Sequence, residues 1–271
     1  MSTIGFIGGG NMAASLIGGL IDSGVSASDI TVAEPDENRC QTLQTQFGIK
    51  TTTDNDMTLQ NEVIILAVKP QLLKQVCQQL SMPQQDNPMF ISIAAGVKST
   101  DINRWLGEKQ AIVRCMPNTP ALLQCGASGM FANEFVSNTQ RQLAEKIMSA
   151  VGITIWVDDE QQLNAVTAVS GSGPAYFFLM MEAMQQAGEV LGLDADVAKQ
   201  LVLQTALGAA RMAAESDSSA AELRQRVTSK GGTTEQAILS FQSAEYEKIV
   251  LDALRAANDR SISLADELGS D

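Results

Sequence analysis

The sequence predicts an α/β fold in which a doubly wound parallel sheet is followed by an all-helical half. Over the first 157 residues, short apolar runs alternate with amphipathic stretches, which is the pattern of strands joined by helical crossovers. After Asp158-Asp159 the sequence contains no convincing strand. We therefore expect two domains, residues 1–158 and residues 159–271, of which only the first contains a sheet.

The first predicted strand is followed at once by a glycine turn. Ile4–Ile7 leads into Gly8-Gly9-Gly10, and Asn11-Met12 then opens a helix. The glycines and the alanine at position 13 fit G-x-G-x-x-A, a variant of the dinucleotide-binding fingerprint. Gly8 permits the tight turn, Gly10 lets the backbone approach a pyrophosphate, and the helix N-terminus offers it free N–H groups. The turn predicts a Rossmann-type site for NAD or NADP.

The remaining strands are predicted from near-continuous apolar runs, which are typical of strands that helices cover on both faces. These strands are Ile30–Ala33, Val63–Val68, Phe90–Ala94, Ile112–Met116, Gly129–Ala132 and Thr154–Val157. Between them we predict the helices Met12–Ser23, Glu37–Phe47, Leu72–Leu80, Thr100–Leu106 and Thr139–Val151. The all-helical half is predicted to contain Ser172–Leu191, Leu201–Ala214, Glu235–Phe241 and Glu245–Leu268.

The carboxyl ends of the predicted strands mark the expected ligand groove, because open parallel sheets bind ligands beyond that edge. Small or turn-forming residues occupy these ends: Gly8-Gly9-Gly10, Glu34-Pro35-Asp36, Ala67-Val68-Lys69-Pro70, Ala94-Ala95-Gly96 and Met116-Pro117-Asn118. We expect them to line the cofactor site together. Lys69 is the cation at these ends. Asn118, held between two prolines, is a candidate partner for the nicotinamide carboxamide.

Two charged residues after the second strand bear on the choice of cofactor. Glu34 stands where an acidic side chain usually binds the adenine ribose hydroxyls and repels a 2′-phosphate, which favours NADH. Arg39 follows five residues later and could bind that phosphate, which favours NADPH. The sequence leaves the choice open.

The composition excludes several classes of function. A net charge of −13 and a pI near 4.4 disfavour nucleic acid and anionic membranes as partners. The absence of histidine excludes His-based triads and His metal ligands, and we expect no metal site. No apolar run reaches the ~18 residues of a membrane helix, and we expect no signal peptide because the N-terminus leads directly into a strand. Four scattered cysteines indicate reduced thiols and a cytoplasmic location.

The first helix of the second half, Ser172–Leu191, is apolar almost all round, so we expect it to be deeply buried. A domain of ~110 residues has limited room for such a helix. We therefore expect a subunit partner to cover it, with a compact helical domain in a monomer as the alternative.

Two further glycine motifs complete the pattern. Val169–Tyr176 reads VSGSGPAY and Val227–Ala237 reads VTSKGGTTEQA. Together with the first glycine turn and the strand ends at 67–70, 94–96 and 116–120, they resemble pyrroline-5-carboxylate reductase, which catalyses the last step of proline biosynthesis. The likeness covers essentially the whole chain in the same order, and the KGGTT loop is its most specific part. Lys230 stands where many family members have proline.

The resemblance implies an N-terminal Rossmann domain, a helical dimerisation domain with extensive helix exchange, and dimers that assemble into decamers. It places the substrate, 1-pyrroline-5-carboxylate, between the nicotinamide and the GGTT loop, which can belong to the partner subunit. Gly232 and Thr233 would donate N–H groups to the substrate carboxylate, and the Thr234 hydroxyl, as the catalytic group, would bond the ring nitrogen. The implied substrate-binding set is Ser229, Gly231, Gly232, Thr233 and Thr234. Asn55 matches a family residue near the adenosine ribose.

The implied chemistry suits a chain without histidine. A protonated imine is already electrophilic, so the protein must supply orientation and a neutral hydroxyl rather than a strong acid. Two alternatives stay open, a two-domain 3-hydroxyacid dehydrogenase and a non-catalytic nucleotide-sensing module. The dehydrogenase would need a catalytic lysine in the helix Ser172–Leu191, which has none. The sequence leaves open the number of subunits, feedback by proline, other cyclic imine substrates and the effect of Lys230.

Overall fold

The computed structural model describes residues 2–83 and 87–269. The chain packs as two compact units. The first unit runs to Ser172 and also takes the chain from Ala256 onward, and the second unit is Gly173–Arg255. The expected domains, residues 1–158 for dinucleotide binding and residues 159–271 for substrate binding and dimerisation, stay a prediction.

The first unit is built on one eight-stranded sheet. Its strands are β1 (Ile4–Ile7), β2 (Ile30–Ala33), β3 (Lys50–Thr52), β4 (Val63–Leu66), β5 (Met89–Ser92), β6 (Ile112–Met116), β7 (Gly126–Ala132) and β8 (Gly152–Trp156). They lie in the order β3-β2-β1-β4-β5-β6-β7-β8. The chain order reverses between β1 and β4, which is the switch point at which this fold binds dinucleotides. The predicted fold class is confirmed.

Helices cover both faces of this sheet. They are α1 (Asn11–Asp22), α2 (Glu37–Phe47), α3 (Pro70–Gln79), α4 (Ser99–Trp105), α5 (Asn138–Met148) and α6 (Gln162–Val166), and a π-helical turn, Thr167–Gly171, follows α6. Neighbouring strand residues point into different cores. Ile65 and Ile91 pack in the core beneath α1 and α5, whereas Ile64 and Phe90 pack in the core beneath α3 and α4. Burial on both faces explains why β4 and most of β5 are apolar without alternation.

Two features of the sheet differ from the prediction. β7 runs antiparallel to β6, with Gly129 opposite Met116. The connection between these strands contains only a short 3-10 turn, Thr119–Leu123, and a parallel return would need a longer crossover. The prediction also missed β3, because its sequence Lys-Thr-Thr has no apolar pattern and it forms a strand by pairing with β2.

The second unit consists of helices, as predicted. They are α7 (Gly173–Val190), α8 (Ala195–Ala214), α9 (Ala220–Arg226), α10 (Thr233–Ser243) and the first part of α11 (Tyr246–Gly269), whose later part belongs to the first unit. The prediction missed α9, which has only seven residues. The expected deep burial of α7 is not found within one chain, where Phe177, Phe178 and Leu179 are 68%, 63% and 66% exposed.

Candidate active site

The glycine turn after β1 has the backbone that the fingerprint requires. Gly8 has a φ of +99°, and a Cβ added there would lie 2.6 Å from the carbonyl oxygen of Ala67. Its N–H donates to the carbonyl oxygen of Ala33 at 2.8 Å. Only glycine can occupy this position without moving the backbone at Ala67, which explains the first glycine of the motif.

Gly10, by contrast, faces open space. A Cβ added there would meet no atom within 4 Å, although Gly10 has an ordinary φ of −66°. Gly10 is the N-cap of α1 and provides no side-chain cap, so the first-turn N–H groups, including those of Asn11 and Met12, lack a side-chain partner. Open space in front of uncapped N–H groups fits the pyrophosphate of a dinucleotide.

A groove of about 290 Å³ lies in front of this helix end. It joins the carboxyl ends of β1, β4, β5 and β6, as the sheet order demands. Its lining residues are Gly10, Asn11, Met12, Ala13, Ala67, Val68, Lys69, Ile93, Met116 and Pro117. Of the predicted cofactor residues outside this lining, Pro70 is the first residue of α3, directly after Lys69, and Ala95 follows β5.

Glu34 and Arg39 are both anchored to Gly9. The Gly9 N–H donates to Glu34 Oε2 at 2.7 Å, and Arg39 Nε donates to the Gly9 carbonyl oxygen at 2.6 Å. The second Glu34 oxygen accepts from the Asp36 N–H at 3.2 Å. The two residues that the sequence associates with the cofactor ribose therefore also hold the fingerprint turn. Asn55 is half-buried and begins a 3-10 turn, in which its carbonyl oxygen accepts from the Thr58 hydroxyl.

Asn118 is only 9% exposed, and its side chain is bonded within the protein. Its Nδ2 donates to the carbonyl oxygen of Ser170 at 3.0 Å, and its Oδ1 accepts from the Ala127 N–H at 2.9 Å. Asn118 thus ties the loop after β6 to β7 and to the π-helical turn. This structural role was not visible in the sequence, and a contact with the nicotinamide carboxamide stays a prediction.

A carboxylate holds the loop that follows β5. Glu160 accepts from the Ser99 N–H at 2.6 Å and from the Ser99 hydroxyl at 2.9 Å, and it pairs with Arg114 Nη1 at 2.9 Å. Both charged side chains are largely shielded from solvent. The cluster fixes the start of α4, and with it the segment that carries Ala95 and Gly96. No sequence motif indicates this cluster, because Glu160 is 61 residues from Ser99.

The GGTT loop lies in the second unit and opens α10. Gly231 has a φ of +74°, and the Gly232 N–H donates to the carbonyl oxygen of Ser229 at 3.0 Å. Gly232 is the N-cap of α10 and provides no side-chain cap, so the N–H groups of Thr233 and Thr234 begin the helix without a side-chain partner. The Gly232 N–H is thus bonded to Ser229 in this structure, and donation to a substrate carboxylate by Gly232 and Thr233 stays a prediction.

A side chain outside the predicted site residues, Glu235 in the first turn of α10, also holds this loop. Glu235 Oε2 accepts from the Gly231 N–H at 2.6 Å. A glutamate in the first turn that reaches back to the chain before the helix is half of a capping box. That signal is present in the sequence, three residues after Gly232.

Burial keeps the thiols near the sheet protonated at neutral pH. It raises the pKa of Cys77 to about 12 and that of Cys115 to about 12. The pKa of Cys40 is also raised, first by burial and then by the Glu34 carboxylate. These cysteines are therefore packing residues at neutral pH, and Cys125 is the exposed one.

Known proteins match almost the whole chain. A sequence model for pyrroline-5-carboxylate reductase dimerisation matches residues 160–264, and one for NADP oxidoreductase, coenzyme F420-dependent, matches residues 3–96. The pyrroline-5-carboxylate reductase of Pseudomonas aeruginosa is 52% identical over 99% of this chain and 100% of its own length. The enzyme of Haemophilus influenzae is 43% identical over 95% of this chain and 96% of its own.

Solved structures of the same enzyme superpose on this chain. A pyrroline-5-carboxylate reductase from Coxiella burnetii superposes with a TM-score of 0.93 at 46% identity, covering 97% of this chain and 98% of its own. The Plasmodium falciparum pyrroline carboxylate reductase, solved with NADP bound, has a TM-score of 0.84 at 27% identity, with the same two coverages.

Proposed function

The chain belongs to the pyrroline-5-carboxylate reductase family, and we infer from this premise that its two glycine loops serve that family's reaction. The protein reduces 1-pyrroline-5-carboxylate to L-proline with NAD(P)H. The observation that carries this conclusion is 52% identity over 99% of the chain, a span that includes both loops. The relatives do not favour a 3-hydroxyacid dehydrogenase or a nucleotide-sensing module.

The cofactor site is proposed for the first unit. The uncapped start of α1 and the open space at Gly10 fit the pyrophosphate, and Lys69 adds a positive charge at the groove. When bound, the reduced nicotinamide supplies the hydride. We assign the adenosine ribose to the neighbourhood of Glu34, Arg39 and Asn55, and the nicotinamide end to the neighbourhood of Pro117 and Asn118.

The substrate site is proposed for the loop Ser229–Thr234. The N–H groups at the start of α10 suit a carboxylate, because a helix N-terminus attracts negative charge. The Thr234 hydroxyl can accept a hydrogen bond from the protonated imine nitrogen and keep that bond after the nitrogen becomes an amine. Thr234 therefore orients the ring for hydride addition at its C=N carbon without acting as a strong acid.

The protein forms a homo-oligomer, consistent with the dimerisation match over residues 160–264. The apolar side chains that α7 exposes support a dimer that covers them. As further proposals, we infer that the dimers assemble into a decamer and that the protein is cytoplasmic. Across residues 2–83 and 87–269, no helix has the length and apolar character that crossing a membrane requires.

The reaction is tested by following the loss of reduced-nicotinamide absorbance with 1-pyrroline-5-carboxylate, with NADPH and NADH assayed in parallel. We expect rapid, substrate-dependent oxidation. The ratio of the two rates shows whether Glu34 or Arg39 dominates at the ribose. A sample that binds both cofactors and oxidises neither would contradict the assignment and favour a sensing role.

A further inference from the structure

The start of α10 carries only half of a capping box. Glu235, in its first turn, accepts the Gly231 N–H at 2.6 Å. In the complete motif this glutamate would bind the N-cap N–H, but here the N-cap is Gly232, whose N–H already donates to Ser229. The side chain of Glu235 therefore reaches one residue further back.

The neighbouring helix α9 shows what is missing. There the Ser219 N–H donates to Glu222 Oε2 at 2.7 Å, and the Glu222 N–H donates in return to the Ser219 hydroxyl at 3.3 Å. The second bond is the one that fills a first-turn N–H group. In α10 the N-cap is glycine and provides no side-chain oxygen, so this bond cannot form.

The backbone N–H groups of the GGTT loop therefore differ in whether the protein already binds them. The N–H groups before the helix, on Gly231 and Gly232, are filled by the chain itself. Those at the start of the helix, on Thr233 and Thr234, receive no side-chain cap. Those two are the amides that face an incoming anion at a helix N-terminus.

Gly231 also needs an external restraint. Its φ of +74° is a left-handed conformation, and a Cβ added there would meet no atom within 4 Å. There is thus open space where a Gly231 side chain would stand, and a glycine pair samples many backbone conformations. The bond from the Gly231 N–H to Glu235 is the side-chain contact that favours it.

We propose that Glu235 is a positioning residue for the substrate carboxylate. By holding Gly231, it orders the GGTT loop and leaves the N–H groups of Thr233 and Thr234 for the ligand. This inference rests on the proposed function, because it takes the substrate to be a carboxylate that binds at this loop. Glu235 touches the loop and not the reacting atoms, so its effect falls on substrate binding.

The test compares three purified variants of the full-length protein. Glu235→Ala removes the bond, Glu235→Gln keeps an oxygen that can accept from Gly231, and Glu247→Ala removes another exposed glutamate in the first turn of α11. We expect Glu235→Ala to raise the KM for 1-pyrroline-5-carboxylate about three- to tenfold, the size of one lost hydrogen bond. Its kcat and its KM for NADPH should stay close to wild type. Glu235→Gln should recover most of the loss, and Glu247→Ala should behave as wild type.

Hydrogen–deuterium exchange of the peptide that contains Gly231 adds a readout that needs no activity. We expect faster exchange in Glu235→Ala and near wild-type exchange in Glu235→Gln. An unchanged KM in Glu235→Ala, equal impairment of both Glu235 variants, or unchanged exchange would each overturn the proposal. An inactive wild type would instead contradict the proposed function, and the exchange measurement would still decide whether Glu235 holds the loop.

Discussion

The side chain of Leu264 in α11 lies directly against Gly96 in the loop after β5. A Cβ added to Gly96 would stand 3.3 Å from both Cγ and Cδ2 of Leu264, and Gly96 has a φ of +74°. The later part of α11 thus packs on a loop that the sequence assigns to the cofactor. Ser261, on the same helix, donates its hydroxyl to Asn164 Oδ1 at 2.8 Å and reinforces this packing.

Gly96→Ala should therefore destabilise the protein more than its backbone alone requires. Gly107 is the matched control, because its φ of +87° is also left-handed and a Cβ there would meet no atom within 4 Å. We expect Gly107→Ala to cost about 1 kcal/mol of unfolding free energy. Gly96→Ala should cost about 2–3 kcal/mol, since overpacking adds to the strain. Urea denaturation measures the unfolding free energy of both variants. Equal losses would show that the Leu264 side chain moves aside without a measurable loss of stability.

Gly10→Val should abolish cofactor binding while leaving the fold intact. A Cβ at this position meets no protein atom within 4 Å, so we expect the valine to clash with the pyrophosphate and not with the fold. We expect a melting temperature close to wild type and a loss of NADPH affinity of at least about a hundredfold. Gly8→Val is the contrast, because its Cβ would collide with Ala67 and lower stability. Retained NADPH affinity in folded Gly10→Val, measured by calorimetry, would contradict the groove assignment.

Thr234→Ala should slow turnover and leave the cofactor bound as before. Loss of a hydrogen bond to a charged ring nitrogen corresponds to about a ten- to hundredfold fall in kcat. Thr234→Ser keeps the hydroxyl and should retain most of the activity. Steady-state kinetics with saturating NADPH make the comparison, and wild-type kcat in Thr234→Ala would remove this residue from the reaction.

Phe177→Glu should dissociate the oligomer. Phe177 is 68% exposed in the single chain, and an oligomer that covers it would have to bury the new charge unpaired. The control is Leu123→Glu, which replaces a residue that is 80% exposed in the first unit. Light scattering should give a smaller mass for Phe177→Glu alone, with helical content preserved by circular dichroism. An unchanged mass would place α7 outside the interface.

Thiol reagents should modify the native protein at Cys125 and spare Cys77 and Cys115. With a pKa of about 12, each of these buried thiols is ionised to only about one part in ten thousand at pH 8. Raising the pH towards 12 increases the thiolate fraction, so any labelling of the buried pair should appear first in alkali. Intact-mass measurement should show one adduct per chain near neutral pH, and rapid modification of Cys115 there would be inconsistent with its burial.

Local backbone requirements account for what the sequence predicts correctly. The glycine turn is recognisable because Gly8 has a left-handed φ of +99° and Gly10 immediately precedes α1. The apolar runs of β4 and β5 reflect burial on both faces of the sheet. The antiparallel direction of β7 and the existence of β3 escaped prediction, because pairing with a neighbouring strand decides both. At the site, the structural role of Asn118 could not be predicted from the sequence, because its amide is bonded to Ser170, 52 residues away.

The return of α11 makes the first unit discontinuous along the chain. Residues from Ala256 onward are translated only after the whole second unit has been made, yet they pack on Gly96 and Asn164 of the first. During synthesis, the loop after β5 must therefore wait for a distant segment before its packing is complete. Contacts between segments so far apart form late, because the intervening chain must first be brought to order. Shortening the chain within α11 should accordingly leave a nascent nucleotide-binding sheet exposed to aggregation and proteolysis.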